Sequence, residues 1–144
     1  MRELGYRPHL SLAIYDTPTL DPGTVWGAMR EAVSDGAALH VRFSRIRWFS
    51  HPRFVLWAEP EADAVLLEWH AAIAASIAPA LCREHYRPGA WVPHCTLGTR
   101  IREERRADAM AFARAFDQSF TVVFDVVDCV MFPPVHIIAE QKLA

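Results

Sequence analysis

The chain has 144 residues, and its 52% of apolar residues suits one domain with a core of its own. Its formal net charge of −2 at pH 7 argues against sequence-independent nucleic-acid binding, because that activity needs a strong surplus of basic residues. The three cysteines are widely spaced and form no Cys-x-x-Cys pair, so we expect reduced thiols rather than a disulfide framework or a zinc site.

No stretch of the sequence has the features of a secretion signal or a membrane anchor. Residues 1–5 lack the apolar run of a signal peptide. The longest apolar stretch, residues 71–81, is too short and too rich in alanine to span a bilayer. We therefore expect a cytoplasmic protein without a membrane partner.

The first part of the chain reads as strand, helix, strand and strand. Residues 8–15 alternate in polarity and predict a strand. Asp21 and Pro22 predict the N-cap and first residue of a helix, and Gly36 ends it. A strand at residues 39–49, a turn at 50–52 and a second strand at 54–58 follow.

A long helix is predicted next, from about residue 61 to residue 82. Leu66, Trp69 and Ile73 recur within it at helical spacing, which is typical of an apolar face. The remaining predicted elements are a strand at 92–99, a helix at 103–116 and strands at 120–131 and 135–141.

This order of elements contains an internal repeat. Residues 8–60 and 92–141 share the order strand, helix, strand, strand, and Pro52 recurs as Pro133 at an offset of 81. We therefore predict an α+β fold with two pseudo-symmetric β-α-β-β lobes, built on antiparallel sheets with the helices outside. The helix at 61–82 would link the lobes within a single domain. Lobes that face each other would enclose a central cleft.

The first strand of each predicted lobe carries the same short motif, Pro-His-x-(Ser/Thr)-Leu. Side chains alternate between the two faces of a strand. His9 and Ser11 therefore share one face, as do His94 and Thr96, while the neighbouring apolar residues point to the core. None of the other five histidines carries this pattern.

Two imidazoles on either side of one ligand suit general acid–base catalysis. His9 and His94 could divide the work, since one ring removes a proton and the other donates one to the leaving oxygen. The hydroxyls of Ser11 and Thr96 could donate hydrogen bonds to phosphoryl oxygens. The sequence has no His-Glu-x-x-His motif and no clustered carboxylates, so neither a metal nor another cofactor is expected.

The twin motifs, the lead-in Tyr-Arg-Pro-x-x-Trp-x-Pro-His at residues 86–94 and the duplicated order of elements resemble the 2H phosphoesterase superfamily. This group contains the 2′-5′ RNA ligase-like proteins and the cyclic phosphodiesterases. The resemblance implies two lobes around a central cleft. It also implies metal-independent opening of 2′,3′-cyclic phosphates of nucleotides or RNA ends, or reversible 2′-5′ RNA ligation. By motif, His9 and His94 would be the acid–base pair, and Ser11 and Thr96 the phosphate-binding residues.

Three further residues are candidates for substrate contact, each with a structural alternative. Tyr86 and Trp91 could stack on a base, or they could pack within their own loop. His136 could face the cleft from its strand, or it could have a structural role. Two arginine-rich stretches, at residues 42–53 and 100–106, could form a rim that attracts phosphate or merely solvated surfaces.

The resemblance has one departure, because members of the family usually have a strand and a helix ahead of the first motif. Here His9 is almost at the start of the sequence. The sheet edge left open would invite pairing with a second copy, so we expect a homodimer. The departure also keeps a second function in view, a non-catalytic module that retains the phosphate-binding cleft and binds nucleotides or RNA.

Overall fold

The computed structural model describes residues 6–34 and 36–144. Helices and antiparallel strands mix along this part of the chain, which confirms the predicted α+β class. The elements are α1 (Pro22–Ala32), β1 (Leu39–Phe49), β2 (Val55–Pro60), α2 (Ala64–Ser76), β3 (Cys95–Gly98), α3 (Arg106–Ala115), β4 (Phe120–Phe124), β5 (Val126–Met131) and β6 (His136–Lys142).

Two predicted strands differ from the structure. Residues 8–15 contain no continuous strand, and only Leu10 and Tyr15 form isolated bridges there. The predicted strand at 120–131 is divided at Asp125 into β4 and β5, which belong to different sheets. A run of apolar residues predicts extended backbone but does not specify which neighbour it pairs with, and both errors have this cause.

The predicted helix at 61–82 is shorter than expected. It ends at Ser76, and the chain then forms a 3₁₀ turn over Pro79–Leu81. Proline has no N–H for the helical ladder, and its ring disfavours helical backbone in the preceding residue. None of the helices in the described part of the chain combines the length and apolar character needed to cross a bilayer.

Two compact units make up the chain, each built from three segments. We call them the sheet unit and the helix unit. The sheet unit contains Met1–Leu10, Val41–Ala62 and Pro93–Val122, and the helix unit contains Ser11–His40, Asp63–Val92 and Val123–Ala144.

The single domain with lobes at 8–60 and 92–141 stays a prediction. The homodimer also stays a prediction, and a monomer found by light scattering at high protein concentration would contradict it.

The sheet unit is organised on strands in the order β3-β2-β1-β4. A bulge between Phe43 and Arg45 adds one residue to β1 relative to β2. Because of this extra residue, Phe43 and Ile46 both point into the core although they are three positions apart. Arg45 and Arg47 consequently point to the opposite face of the sheet.

Helix α3 packs on the core face of this sheet. The guanidinium of Arg114 lies over the ring of Trp48, 5.2 Å from its centroid, and that of Arg106 lies 5.6 Å from the centroid of Phe54. Phe112 of this helix is 54% exposed.

The helix unit begins with α1, which packs against α2 and β5. Its start is as predicted, because the Asp21 carboxylate accepts a hydrogen bond from the Thr24 N–H at 3.1 Å and Pro22 occupies the first turn. Strands β5 and β6 pair antiparallel. The apolar face of α2 and the residue after it are buried as predicted, at Leu66, Trp69, Ile73 and Ile77.

Candidate active site

The histidines of both motifs lie in the sheet unit, on neighbouring segments of the chain. Leu10 and Cys95 form an antiparallel bridge, so the residue before Leu10 lies opposite the residue after Cys95. His9 is thus the neighbour of Thr96 across this bridge. His94 and Thr96 share a face by strand alternation, and the side chains of all three therefore project away from Leu10 and Cys95.

The same face continues across the rest of the sheet. Thr96 pairs with Trp57 of β2, and Trp57 pairs with Arg47 of β1. Residues paired directly across strands have their side chains on the same face. His9, Thr96, Trp57 and Arg47 therefore form one row, with Arg45 beside it, on the face opposite Phe43 and Ile46, and Trp57 is buried within this row at 3% exposure.

Aromatic rings hold the imidazole of His94. The rings of Phe49 and Trp57 stack with their centroids 4.7 Å apart. His94 meets each of them edge to face, with centroid distances of 5.3 Å to Phe49 and 5.9 Å to Trp57. Such edge contacts favour one orientation of the imidazole ring over others.

The imidazole of His9 is oriented by its own segment. Its Nδ1 lies 2.9 Å from the carbonyl oxygen of Arg7, and since a carbonyl can only accept, Nδ1 carries the proton of this hydrogen bond. The ring of Tyr6 lies against it with a centroid distance of 4.7 Å. In the neutral ring, Nε2 then carries the lone pair that a general base needs.

Ser11 lies in the helix unit, where two aromatic residues of the 86–94 lead-in hold it. The indole N–H of Trp91 donates to the carbonyl oxygen of Ser11 at 3.1 Å. Burial raises the pKa of Tyr86, although the charge of Arg83 and a hydrogen bond shared with the Ser11 hydroxyl lower that pKa in part. Tyr86 and Trp91 thus pack around Ser11, and their contact with substrate stays a prediction.

Comparison with known families gives one match, in which the family model of the 2′-5′ RNA ligase superfamily covers residues 4–131. The chain belongs to this superfamily. It is the 2H phosphoesterase superfamily, so the resemblance seen in the two motifs is confirmed. A comparison with curated proteins gives no match.

Cys95, between the two polar residues of the second superfamily motif, faces the core as expected. It is 7% exposed, and burial raises the pKa of its thiol, although a hydrogen bond with the His9 backbone lowers that pKa in part. A buried thiol with a raised pKa is a poor nucleophile. Cys95 is therefore a weak candidate for a nucleophile.

Two arginines in the first stretch of the predicted phosphate-attracting rim, residues 42–53, have carboxylate partners. Arg47 Nε lies 2.7 Å from Glu59, and Arg42 Nε lies 3.3 Å from Glu61. The ion pair with Glu61 favours the interpretation of Arg42 as part of the solvated surface. Arg45 and Arg47 share the face of His94, so they fit either interpretation.

His136, the last predicted contact residue, begins β6 in the helix unit. It pairs with Met131 at the end of the two-stranded sheet, and its side chain is exposed. Its role toward a substrate stays a prediction. Across residues 6–34 and 36–144, no group of three or more His, Cys, Asp or Glu side chains could hold a metal ion.

Two features of the residues around the candidate site were not predicted from the sequence. The aromatic support of His94 by Trp57 depends on the register of β2 with β3, which no motif encodes. His70 is buried beneath the lead-in, although it carries no motif. The only sign of this burial in the sequence is that His70 follows Trp69, a residue of the predicted apolar face of α2.

Proposed function

We propose that the protein is a metal-independent phosphodiesterase that opens 2′,3′-cyclic phosphates of nucleotides or RNA ends, or that it catalyses reversible 2′-5′ RNA ligation. Family membership supports a 2H phosphoesterase or RNA ligase-like activity in general. The bridge between Leu10 and Cys95 is the observation that carries the proposal. It sets His9 beside Thr96 on the face that His94 shares, as two-histidine chemistry on one phosphate requires.

In this mechanism His9 and His94 act as the acid–base pair. One neutral imidazole takes a proton from water while the water oxygen forms a bond to phosphorus. The bond from phosphorus to one ribose oxygen breaks, and the other, protonated imidazole supplies the proton that this oxygen needs. The product is a linear phosphate monoester. Ser11 and Thr96 would donate hydrogen bonds to the non-bridging oxygens, where negative charge develops.

The arrangement of His9 favours a direct part in proton transfer. Its Nδ1–H is committed to the Arg7 carbonyl, so Nε2 is the nitrogen that exchanges a proton with the reacting groups. Arg45 and Arg47, on the face of His94 and Thr96, would attract the phosphates of the substrate. Tyr86, Trp91 and His136 remain proposed contacts for the rest of it.

The test is a screen of cyclic phosphates with identification of the product. Adenosine 2′,3′-cyclic phosphate and an oligoribonucleotide ending in a cyclic phosphate are incubated with the protein, and the products are separated chromatographically. We expect linear monophosphate ends and a bell-shaped dependence of the rate on pH, since one ring must be neutral and the other charged. Recovery of every compound intact would contradict catalysis. Bound but unchanged nucleotide would indicate the non-catalytic module instead.

We also propose a cytoplasmic location. Cys82, Cys95 and Cys129 are free thiols, and Cys82 and Cys95 are buried. Three unpaired cysteines suit a reducing compartment. Fractionation of the cells that produce the protein tests this, and recovery from an oxidising compartment would contradict it.

A further inference from the structure

Ser11 belongs to a segment that the helix unit holds along its length. The segment 11–16 runs beside the loop that follows α2. Tyr15 forms an antiparallel bridge with Cys82, and the N–H of Arg83 donates to the Ile14 carbonyl at 2.8 Å. The contacts that fix this loop therefore also help to fix the position of Ser11.

Tyr86 and Trp91 are the loop residues that touch Ser11 itself. Trp91 binds its backbone carbonyl and Tyr86 binds its hydroxyl. Because the two hydroxyls share a hydrogen bond, the position of Tyr86 sets the direction of the Ser11 hydroxyl. A shift of either aromatic residue would turn this hydroxyl away from its ligand.

His70 of α2 contacts both of these aromatic residues. Its Nε2 lies 2.8 Å from the Tyr86 carbonyl oxygen, and because this oxygen only accepts, Nε2 is protonated. Its ring stacks on the indole of Trp91, with centroids 4.1 Å apart and planes inclined by 8°. His70 is 7% exposed, so water competes little for either contact.

We infer that His70 is a positioning residue, which fixes Tyr86 and Trp91 and thereby orients the Ser11 hydroxyl toward the substrate phosphate. The inference rests on the proposed function, because it assigns His70 a role through a phosphate-binding serine. Any buried histidine needs a hydrogen-bond partner, but the two partners of His70 are the same two residues that contact Ser11. The two contacts together connect α2 to the phosphate-binding hydroxyl.

The test compares His70→Phe in two backgrounds, the unchanged protein and Ser11→Ala. Phenylalanine keeps a flat ring against Trp91 but removes the donor to the Tyr86 carbonyl. With adenosine 2′,3′-cyclic phosphate, we expect His70→Phe to lower kcat/KM roughly fivefold in the unchanged protein, the effect of one lost hydrogen bond. In the Ser11→Ala background the loss should shrink to less than about twofold, since residues that act through one another are not additive.

An equal loss in both backgrounds, or no loss in either, would overturn the role of His70. Those outcomes leave the proposed function intact, because the unchanged protein still turns over the cyclic phosphate. Absence of turnover in the unchanged protein overturns the proposed function, and the inference with it.

If His70→Phe does not fold, a measurement on the unchanged protein tests the step on which the inference depends, the coupling of Trp91 to the bound phosphate. Adenosine 3′-monophosphate is titrated into ¹⁵N-labelled protein, and the indole N–H resonance of Trp91 is identified by its absence in Trp91→Phe. We expect this resonance to move with the same midpoint as the backbone amide of Thr96. A Trp91 resonance that stays in place while Thr96 saturates would contradict coupling of the aromatic residues to the site.

Discussion

Asp16 and Arg83 show how one residue pair can fix a functional segment. Two parallel hydrogen bonds connect them, from Nε to Oδ2 at 2.5 Å and from Nη2 to Oδ1 at 2.7 Å. Hydrogen bonding by Arg83 lowers the pKa of Asp16, and the same contact raises the pKa of Arg83. The pair joins the end of the 11–16 segment to the loop after α2, although both side chains are exposed.

This pair should make stability depend on pH in the acid range. A carboxyl whose pKa is lowered on folding contributes stability above its unfolded pKa, near 3.9, and this contribution is lost as pH falls through the folded value. We therefore expect Asp16→Asn to lower the urea midpoint at pH 7 but much less at pH 3. Asp117→Asn, at an exposed aspartate in the loop after α3, is the matched control. An equal effect of Asp16→Asn at both pH values would contradict the assignment.

At this scale the sequence predicts residues that belong to repeated motifs. His9 and His94 could be selected because each is followed by a hydroxyl and flanked by proline and leucine. His70 could not, because its partners are a backbone carbonyl 16 residues away and a ring 21 residues away, at Tyr86 and Trp91. Contacts of this kind depend on the path of the loop, which composition and periodicity do not specify.

Among the helices, α2 is the one that we link to the candidate site, since it carries His70. Its first turn is capped by Asp63, whose Oδ1 accepts a hydrogen bond from the Leu66 N–H at 2.9 Å. The cap satisfies a backbone donor that would otherwise lack a partner in the helix. Leu66, Trp69 and Ile73 then bury the helix against its neighbours.

Removal of this cap should weaken the protein measurably. We expect Asp63→Ala to lower the free energy of unfolding by about 1 kcal/mol, as measured by urea denaturation. Asp63→Ser should retain most of the stability because its hydroxyl can still accept. Glu68→Ala, at an exposed position in the same helix, is the control and should change stability by less than about 0.5 kcal/mol. A loss in Asp63→Ala no larger than in Glu68→Ala would show that the cap contributes nothing.

The ends of elements were harder to predict than their existence. The start of α1 was correct because Asp21 and Pro22 form a local signal. The end of α2 was placed too late, since the apolar pattern continues to Ile77 and Cys82 although the helix stops at Ser76. In physical terms, a buried apolar residue can be reached by a helix or by the loop after it.

For the whole molecule, the family and the α+β class were predictable because they depend on motifs and on the order of elements. Strand pairing was not. The 8–15 segment makes only isolated bridges, and 120–131 divides between two sheets at Asp125. Long-range pairing depends on which edges are available after the rest of the chain has folded, and a one-dimensional pattern does not contain this information.

The central claim is that His9 and His94 act as a unit on one phosphate. The most direct test measures kcat with adenosine 2′,3′-cyclic phosphate for His9→Ala, His94→Ala and the double variant. His40→Ala, at an exposed position on β1, is the control. We expect each single variant to lose at least about a hundredfold in kcat, and the double variant to lose little more, while His40→Ala keeps full activity. A double variant that opens the cyclic phosphate at the unchanged rate would contradict the account.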